Sequence, residues 1–511
     1  MASTCAQRYE ELEGLRRNFL DRARDCSALT HPYLVPPEGT TSATLLEAPY
    51  QGVGPRGVNN LAARLLLALL PPDMPFFRLV PADEFAVKAL EQQKDEQGNP
   101  IRFDQALSVV EHAVMREIEM SGMRSAIHEA LKHLIIAGNA LLYLPEGGGI
   151  RVFGLDKYCV LRDDTGNLLE AVMKENVSPA TLDEDMLQFV SQASAPDETV
   201  SVYTKFYLQD GRYQTYQEIE GNVVPGSEGS YPKEDLPLIA LRWNQVDAED
   251  YGRGHCEQYL GDLQALEQLS QNILAAAAMA SKVVYTVNPN GITDVHALND
   301  AVSGDFVIGN PNDVAAIQQD KAIDLNIAAQ TANQIEQRLG QSFMLFDSIE
   351  LQGRDRVTRR EIELQQQNME QNLGGVFTLL AREMQEPLAR RLMTRMRKQG
   401  RLPDTNDMFE PTVVTGTAAF GRQYDLRNLE SLMQLIGALG ADKIDTYVNI
   451  SGFIERAVSA LGIDTNGLIK TPEELAQERA AQQQAVQQQQ LASIAQSAAP
   501  QAVRQLAPEG N

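Results

Sequence analysis

Apolar residues recur at three-to-four spacing along much of this chain, and that period predicts a series of amphipathic helices. Tyr9, Leu12, Leu15, Phe19 and Leu20 alternate with charges across residues 8–30, until Pro32, Pro36 and Pro37 break the pattern. Helices are also predicted over 57–70, stopping at Pro71-Pro72, and over 103–121, with Leu107, Val110, Val114 and Ile118 on one face. A fourth, over 124–137, stops at Gly138-Asn139, a good helix terminator. The period then shortens to two. Runs at 140–144, 158–161, 200–208 and 213–219 are β-prone and separated by turns such as Asp164-Thr165-Gly166-Asn167 and Asp210-Gly211. Residues 1–250 therefore read as one α+β domain.

Helical spacing dominates from Tyr251 onward. Tyr259, Leu263, Leu266, Leu269 and Ile273 keep the period, and an alanine-rich run follows at 275–280. Read as one helix, 251–282 is about 48 Å long, with an alanine stretch that lets neighbouring helices approach closely. Pro289, Gly291, Gly304, Gly309 and Pro311 punctuate 286–322, a small strand-containing module that is acidic through Asp294, Asp300, Asp305, Asp313 and Asp320. Helix returns at 323–346, where Ala332, Ile335, Leu339, Phe343 and Phe346 form a stripe. A basic loop, Gly353-Arg354-Asp355-Arg356-Val357-Thr358-Arg359-Arg360, leads into a long helix to Lys398, with kinks expected at Gly374-Gly375 and Pro387. One more strand at 409–414 and helices through 426–439 and 447–461 complete the folded part. The Ala/Gln-rich stretch beyond Pro472 is of low complexity. The fold class expected is α+β, mainly helical.

At 511 residues the chain has room for more than one structural unit and for a core without staples. Its formal net charge of −25 argues against coating nucleic acid over a broad surface, since such binding is driven by displaced phosphate counterions. It leaves open one local positive feature, and the basic loop puts four arginines into eight residues. The four cysteines lack metal-ligand spacing and read as free thiols in a reducing cytoplasm. The first eight residues hold no apolar signal core. The most apolar run, 61–70, contains Arg64 and falls short of the roughly 20 residues that span a bilayer. A soluble, intracellular chain is expected, with no membrane partner.

One enzyme motif is present. Gly52-Val53-Gly54-Pro55-Arg56-Gly57 fits G-x-G-x-x-G, which supports an alternative reading as a nucleotide-dependent oxidoreductase. A dinucleotide site needs a buried strand immediately before the glycines, and Glu47-Ala48-Pro49-Tyr50-Gln51 is polar and broken by proline. A glycine-rich helix start is the simpler account. The six histidines form no metal set, and no Walker-type, G-x-S-x-G or H-E-x-x-H motif occurs. No catalytic, metal-binding or cofactor-binding residue is predicted, and the chain is not expected to be an enzyme. The candidate functional residues are Arg354, Arg356, Arg359 and Arg360. Taken alone, such a run is a solvated turn. Joining two helices in a half suited to side-by-side packing, it would point to a common axis in a ring. Arginine there supplies persistent charge and forked phosphate contacts without reading sequence.

Several segments in this order resemble the portal, or head-to-tail connector, family of short-tailed phages. They are Gln51-Gly52-Val53-Gly54-Pro55-Arg56-Gly57-Val58-Asn59-Asn60-Leu61-Ala62, Ala137-Gly138-Asn139-Ala140-Leu141, Tyr251-Gly252-Arg253 with Tyr259-Leu260-Gly261-Asp262-Leu263, Asn288-Pro289-Asn290-Gly291-Ile292-Thr293, Arg356-Val357-Thr358 with Glu361-Ile362, and Leu373-Gly374-Gly375-Val376. The resemblance covers about residues 8–470. It implies a ring of twelve subunits around a channel for double-stranded DNA. In that scheme 1–250 is the wing, 251–285 and 323–346 are the stem, 286–322 is the clip and 347–357 the tunnel loop. Residues 358–418 return to the wing, 419–475 form the crown and 476–511 the tail. The implied partners are the terminase large subunit, tail adaptor and tail tube proteins, and scaffolding, major capsid and internal core proteins. The implied location is one capsid vertex of the virion, after assembly in the host cytoplasm. Only Arg356 lies within a matching segment; Arg354, Arg359 and Arg360 rest on position. A virion assembly protein without a channel is the further alternative.

Overall fold

Helix α1, Cys5–Ala28, begins with a capping box, in which Thr4 Oγ1 accepts the Gln7 amide and the Gln7 side chain accepts the Thr4 amide. In the computed structural model the described residues are 4–41, 43–72, 75–81, 103–182, 184–190, 199–280, 284–317, 322–345, 373–402 and 409–413. All of them belong to the first of two compact units, Met1–Gly416 and Thr417–Asn511. The crown and tail ranges expected from the sequence lie outside the described residues.

α1 packs by a face shifted from the expected one. Leu15 is 56% exposed, whereas Arg16 beside it is 1% exposed. The Arg16 guanidinium donates to Tyr9 Oη, to the Leu155 and Tyr158 carbonyls and to the Glu13 carboxylate at 2.7–2.9 Å, so four acceptors offset its desolvation. Those carbonyls flank strand β4. The main sheet is antiparallel: β4 (Tyr158–Arg162), β5 (Leu168–Val177), β6 (Val200–Gln209), β7 (Arg212–Ile219) and β8 (Asn222–Val223) pair in order, and β9 (Gly229–Pro232) also joins β7. Glu218 on β7 accepts the Cys5 amide at 2.7 Å and so places a carboxylate at the amino end of α1, where the helix dipole favours it.

A second core gathers the helices. α2 (Val53–Leu69), α3 (Phe103–Met120) and α4 (Met123–Ala137) pack with a three-stranded sheet in which β2 (Asn139–Tyr143) lies between β10 (Leu238–Arg242) and β3 (Arg151–Phe153). The same core takes in the distant helices described below. Strand β1 (Phe77–Pro81) pairs antiparallel with β13 (Phe409–Val413), Leu79 facing Pro411, and ties the end of this unit back to its beginning. Proline lacks an amide donor, so each of these strands can pair on one side only, as in a two-stranded sheet.

The single helix expected over 251–282 is interrupted. Residues 251–254 are not helical; α5 is only His255–Gln258, and α6 runs Leu260–Ala280, about 31 Å. The cause is a close crossing of two backbones. A Cβ on Gly252 would lie 2.7 Å from the Gly138 carbonyl, and one on Gly254 would lie 2.7 Å from the Ile136 carbonyl. Asn139 clamps the crossing: its amide group donates to Gly252 O at 2.8 Å and its Oδ1 accepts Gly252 N at 2.7 Å. Tyr251 is buried, and its hydroxyl accepts the Val160 amide. Farther along, the expected kink at Pro387 takes the form of a π-helical turn, Ala381–Gln385, just before α9 (Glu386–Lys398). The wide turn accommodates a residue that cannot donate to the residue four back. Gly374 and Gly375 lie inside regular helix over 373–380.

The interior fixes two measurable properties. Burial lowers the imidazoles of His255 and His133 to about 4, with Lys157 adding to the effect at His133. The unfolded chain regains an ordinary value near 6.5, so protonation favours unfolding. Stability is complete above about pH 6.5 and falls as pH drops toward 4, by about 1.4 kcal/mol per pH unit for each histidine. Urea unfolding across this range checks the slope, and His255→Gln is expected to remove its share. Gly57→Ala puts a Cβ 2.5 Å from Phe343 Cγ. Overpacking of about 3 kcal/mol outweighs the roughly 1 kcal/mol gain in helix propensity, so the urea midpoint falls by the equivalent of about 2 kcal/mol.

Candidate assembly and docking surfaces

Helix α6 and helix α8 (Ala322–Ser342) pack against each other and are linked through a hairpin, β11 (Val284–Val287) and β12 (Val314–Ile317), paired antiparallel, with the short helix α7 (Val295–Asp300) between the two strands. Burial is confined to one end of the helix pair. On α6, Leu263 and Leu266 are buried, and no residue from 267 to 279 is. On α8, Ile335 and Leu339 are buried, and no residue from 325 to 334 is. The buried end is held by a dense set of contacts. Phe343, just past α8, presses its ring on Gly57, so α2 needs a glycine there. His255 sits among the rings of Trp243, Tyr259 and Phe343 at 5.1–5.5 Å between centroids, and its Nε2 meets Ser342 O at 3.1 Å. Asn60 Nδ2 donates to the Phe343 and Met344 carbonyls, both at 3.0 Å. The chain then turns through Met344 at φ +56°, with Leu345 N donating to Gly340 O. This is the left-handed helix termination usually given to glycine, here supported by the Asn60 amide. The Glu267 carboxylate accepts the Tyr50 and Gln51 amides at 2.9 and 3.1 Å, and Arg338 pairs with Asp262 at 2.8 Å.

The other end is bare. Leu274, Met279 and Ile327 are exposed on the helices, and Tyr285, Ile292, Val302, Phe306 and Ile308 are exposed on the hairpin module, Phe306 completely. Between residues 285 and 315 the single buried residue is Asp313. No lysine or arginine occurs from Val283 to Asp320. Such a concentration of exposed large apolar side chains is the kind of surface on which another protein can dock.

The four arginines fall elsewhere. Arg354, Arg356, Arg359 and Arg360 lie outside the described residues, as does all of 347–357. What the structure fixes is the anchor at Phe343 and Met344, from which that segment departs. Phe343 stood in the apolar stripe expected over 323–346, whereas Asn60 and Asp313 did not stand out by spacing. The paired Asn-Pro-Asn segments around Asp313 were the available signal.

The glycine motif at 52–57 has a packing role. No strand precedes it, since residues 43–50 form turn and loop. A Cβ at Gly54 would lie 2.5 Å from the Leu29 carbonyl, and Gly57 meets Phe343. Both close approaches are taken by protein, which leaves no cradle for a pyrophosphate, and the oxidoreductase alternative fails on this geometry. Among the described residues no group of three or more His, Cys, Asp or Glu is placed to hold a metal ion, and no helix is long and apolar enough to cross a membrane. All four cysteines are buried free thiols. Burial pushes Cys26 up to about 12 and Cys5 and Cys159 up to about 11, far from a reactive thiolate.

Comparison with known proteins agrees with this arrangement of packing motifs. The family described as Bacteriophage head to tail connecting protein matches residues 2–469. The chain is 38% identical over 483 residues to the portal protein of Escherichia phage T7, covering 92% of this chain and 89% of that one. Against the portal protein of Enterobacteria phage SP6 the identity is 30% over 433 residues, covering 83% and 82% of the two chains. Against the portal protein of Pseudomonas phage phiKMV it is 28% over 488 residues, covering 94% of each. With the match running through nearly every segment that the fold brings together, this chain belongs to the bacteriophage head-to-tail connecting protein family.

Proposed function

We propose that the chain is a portal subunit: twelve copies form a ring at one capsid vertex, around a channel through which double-stranded DNA enters during packaging and leaves at ejection. The observation that carries this reading is the match along residues 2–469 to a connector family, together with 28–38% identity to portal proteins of phages. The geometry supports it. The helix pair α6/α8 is rooted in the core at one end and bare at the other, and its hairpin module has no apolar interior of its own. Side-by-side copies would cover those faces, and a heterologous contact that closes on itself gives a ring.

In this reading the helix pair is the stem and residues 286–322 are the clip, which docks the terminase large subunit during packaging and the tail adaptor and tail tube proteins afterwards. The wing and crown face scaffolding, major capsid and internal core proteins as the head assembles in the host cytoplasm. The subunit is a conduit and not an enzyme; ATP hydrolysis belongs to the terminase. Twelve chains at −25 bring roughly −300 charges to the ring, so most of its wall repels phosphate and lets the duplex slide. Arg354, Arg356, Arg359 and Arg360 supply a limited, sequence-independent grip at the tunnel loop.

Two experiments test the reading. Replacing those four arginines with alanine is expected to leave ring assembly intact and to lower the yield of filled, stable heads; normal yields would remove the loop from the mechanism. Deleting residues 286–322 is expected to abolish both motor docking and tail attachment. Binding of both partners by the deleted rings would show that the docking surface lies elsewhere.

A further inference from the structure

The hairpin module contains the same short sequence twice. Asn288-Pro289-Asn290-Gly291 follows β11, and Asn310-Pro311-Asn312-Asp313 precedes β12. Each copy builds the same turn. Asn288 Oδ1 accepts the Asn290 amide at 3.1 Å and Asn288 O accepts the Gly291 amide at 2.9 Å. Asn310 Oδ1 accepts the Asn312 amide at 3.1 Å and Asn310 O accepts the Asp313 amide at 2.9 Å. Asparagine supplies the side-chain acceptor of such a turn, and proline at the next position suits its backbone.

The two turns are bolted to each other. Asp313 Oδ2 accepts from Ile292 N at 3.0 Å, Thr293 N at 3.3 Å and the Thr293 hydroxyl at 2.9 Å. Thr293 Oγ1 in turn accepts the Asn310 amide at 2.8 Å, and Asp313 O accepts the Asn288 amide at 2.8 Å. Two glycines make room. A Cβ on Gly291 would lie 2.4 Å from Asp313 Cγ, and one on Gly309 would lie 2.5 Å from Thr293 Oγ1. Ile292, whose amide belongs to the lock, is 79% exposed, and Ile308, beside Gly309, is 88% exposed. A polar network therefore fixes the backbone from which the module's apolar side chains project. With Asp313 the single buried residue from 285 to 315, no apolar interior shares that task.

We infer that Asp313 and Thr293 are positioning residues for partner docking. They hold the 291–310 segment in the conformation the partner recognises, so that ordering of this surface is not paid for at binding. This rests on the reading of 286–322 as the docking module. The discriminating variant is Thr293→Val, which keeps the size and branching of the side chain and removes the hydroxyl that serves both turns. Thr293→Ser keeps the hydroxyl. Asp313→Ala removes the one acceptor shared by three donors.

The experiment uses full-length rings and the tail adaptor protein of the same virus, with assembly read by native mass and docking by co-sedimentation. Thr293→Val and Asp313→Ala are expected to assemble normally and to bind the adaptor roughly tenfold more weakly, with faster proteolytic cleavage between 288 and 313. Thr293→Ser is expected to bind within about twofold of the unaltered ring, since its hydroxyl makes the same bonds. Binding by Thr293→Val equal to the unaltered ring would overturn the inference. So would its failure to assemble, because the lock would then serve the ring instead of docking. Unaltered rings that bind no adaptor would instead overturn the docking role of the module itself.

Discussion

The edge of Phe343 against Gly57 is the contact on which the arrangement of helices depends. It joins α2, near the start of the chain, to the end of α8, and it closes an aromatic group with Trp243, His255 and Tyr259. Asn60, on the same helix as Gly57, then takes the last carbonyls of α8. One face of α2 thus seats both the ring and the helix end. A side chain at 57 would push the ring out, and the pair α6/α8 would lose its seat. The crossing of residues 252–254 over Gly138, clamped by Asn139, fixes the other partner in the same way.

From that seat outward, the source of order changes. At the base, apolar burial and aromatic contact hold the helices. From 267 to 279 on α6 and from 325 to 334 on α8, no residue is buried. At the hairpin, hydrogen bonds around Asp313 replace a core. Net hydrogen bonds contribute modestly in water, about 1 kcal/mol each, so they set shape better than they supply stability. A small module of this kind would gain further stability from a partner that covered it. This is the physical reason to read the free ends as assembly surfaces.

Much of the fold was legible in the sequence, and the failures have identifiable causes. The helices α1 to α4 and the strands β4, β6 and β7 followed from period and terminators. Strand β5 did not, because Leu168–Val177 is rich in leucine, glutamate, methionine and lysine, and pairing on both sides overrides its local preference. The break at 251–254 was hidden because a backbone crossing between distant segments leaves no periodic trace. The burial of Arg16 was not legible, since the Leu155 and Tyr158 carbonyls that receive it come from the fold and not from its neighbours in sequence. The glycine motif showed the reverse problem: its spacing was visible, but its reason, Leu29 O and the Phe343 ring, lies far along the chain. For the arginine loop the sequence carries the whole reading, as those residues lie outside the described structure.

Charge and shape lead to one central claim, that copies of this acidic chain pack side by side around a hole. End-on electron microscopy of the purified full-length protein tests it most directly. The account predicts closed rings of twelve with a central opening. Monomers, or closed dimers without an opening, would contradict it.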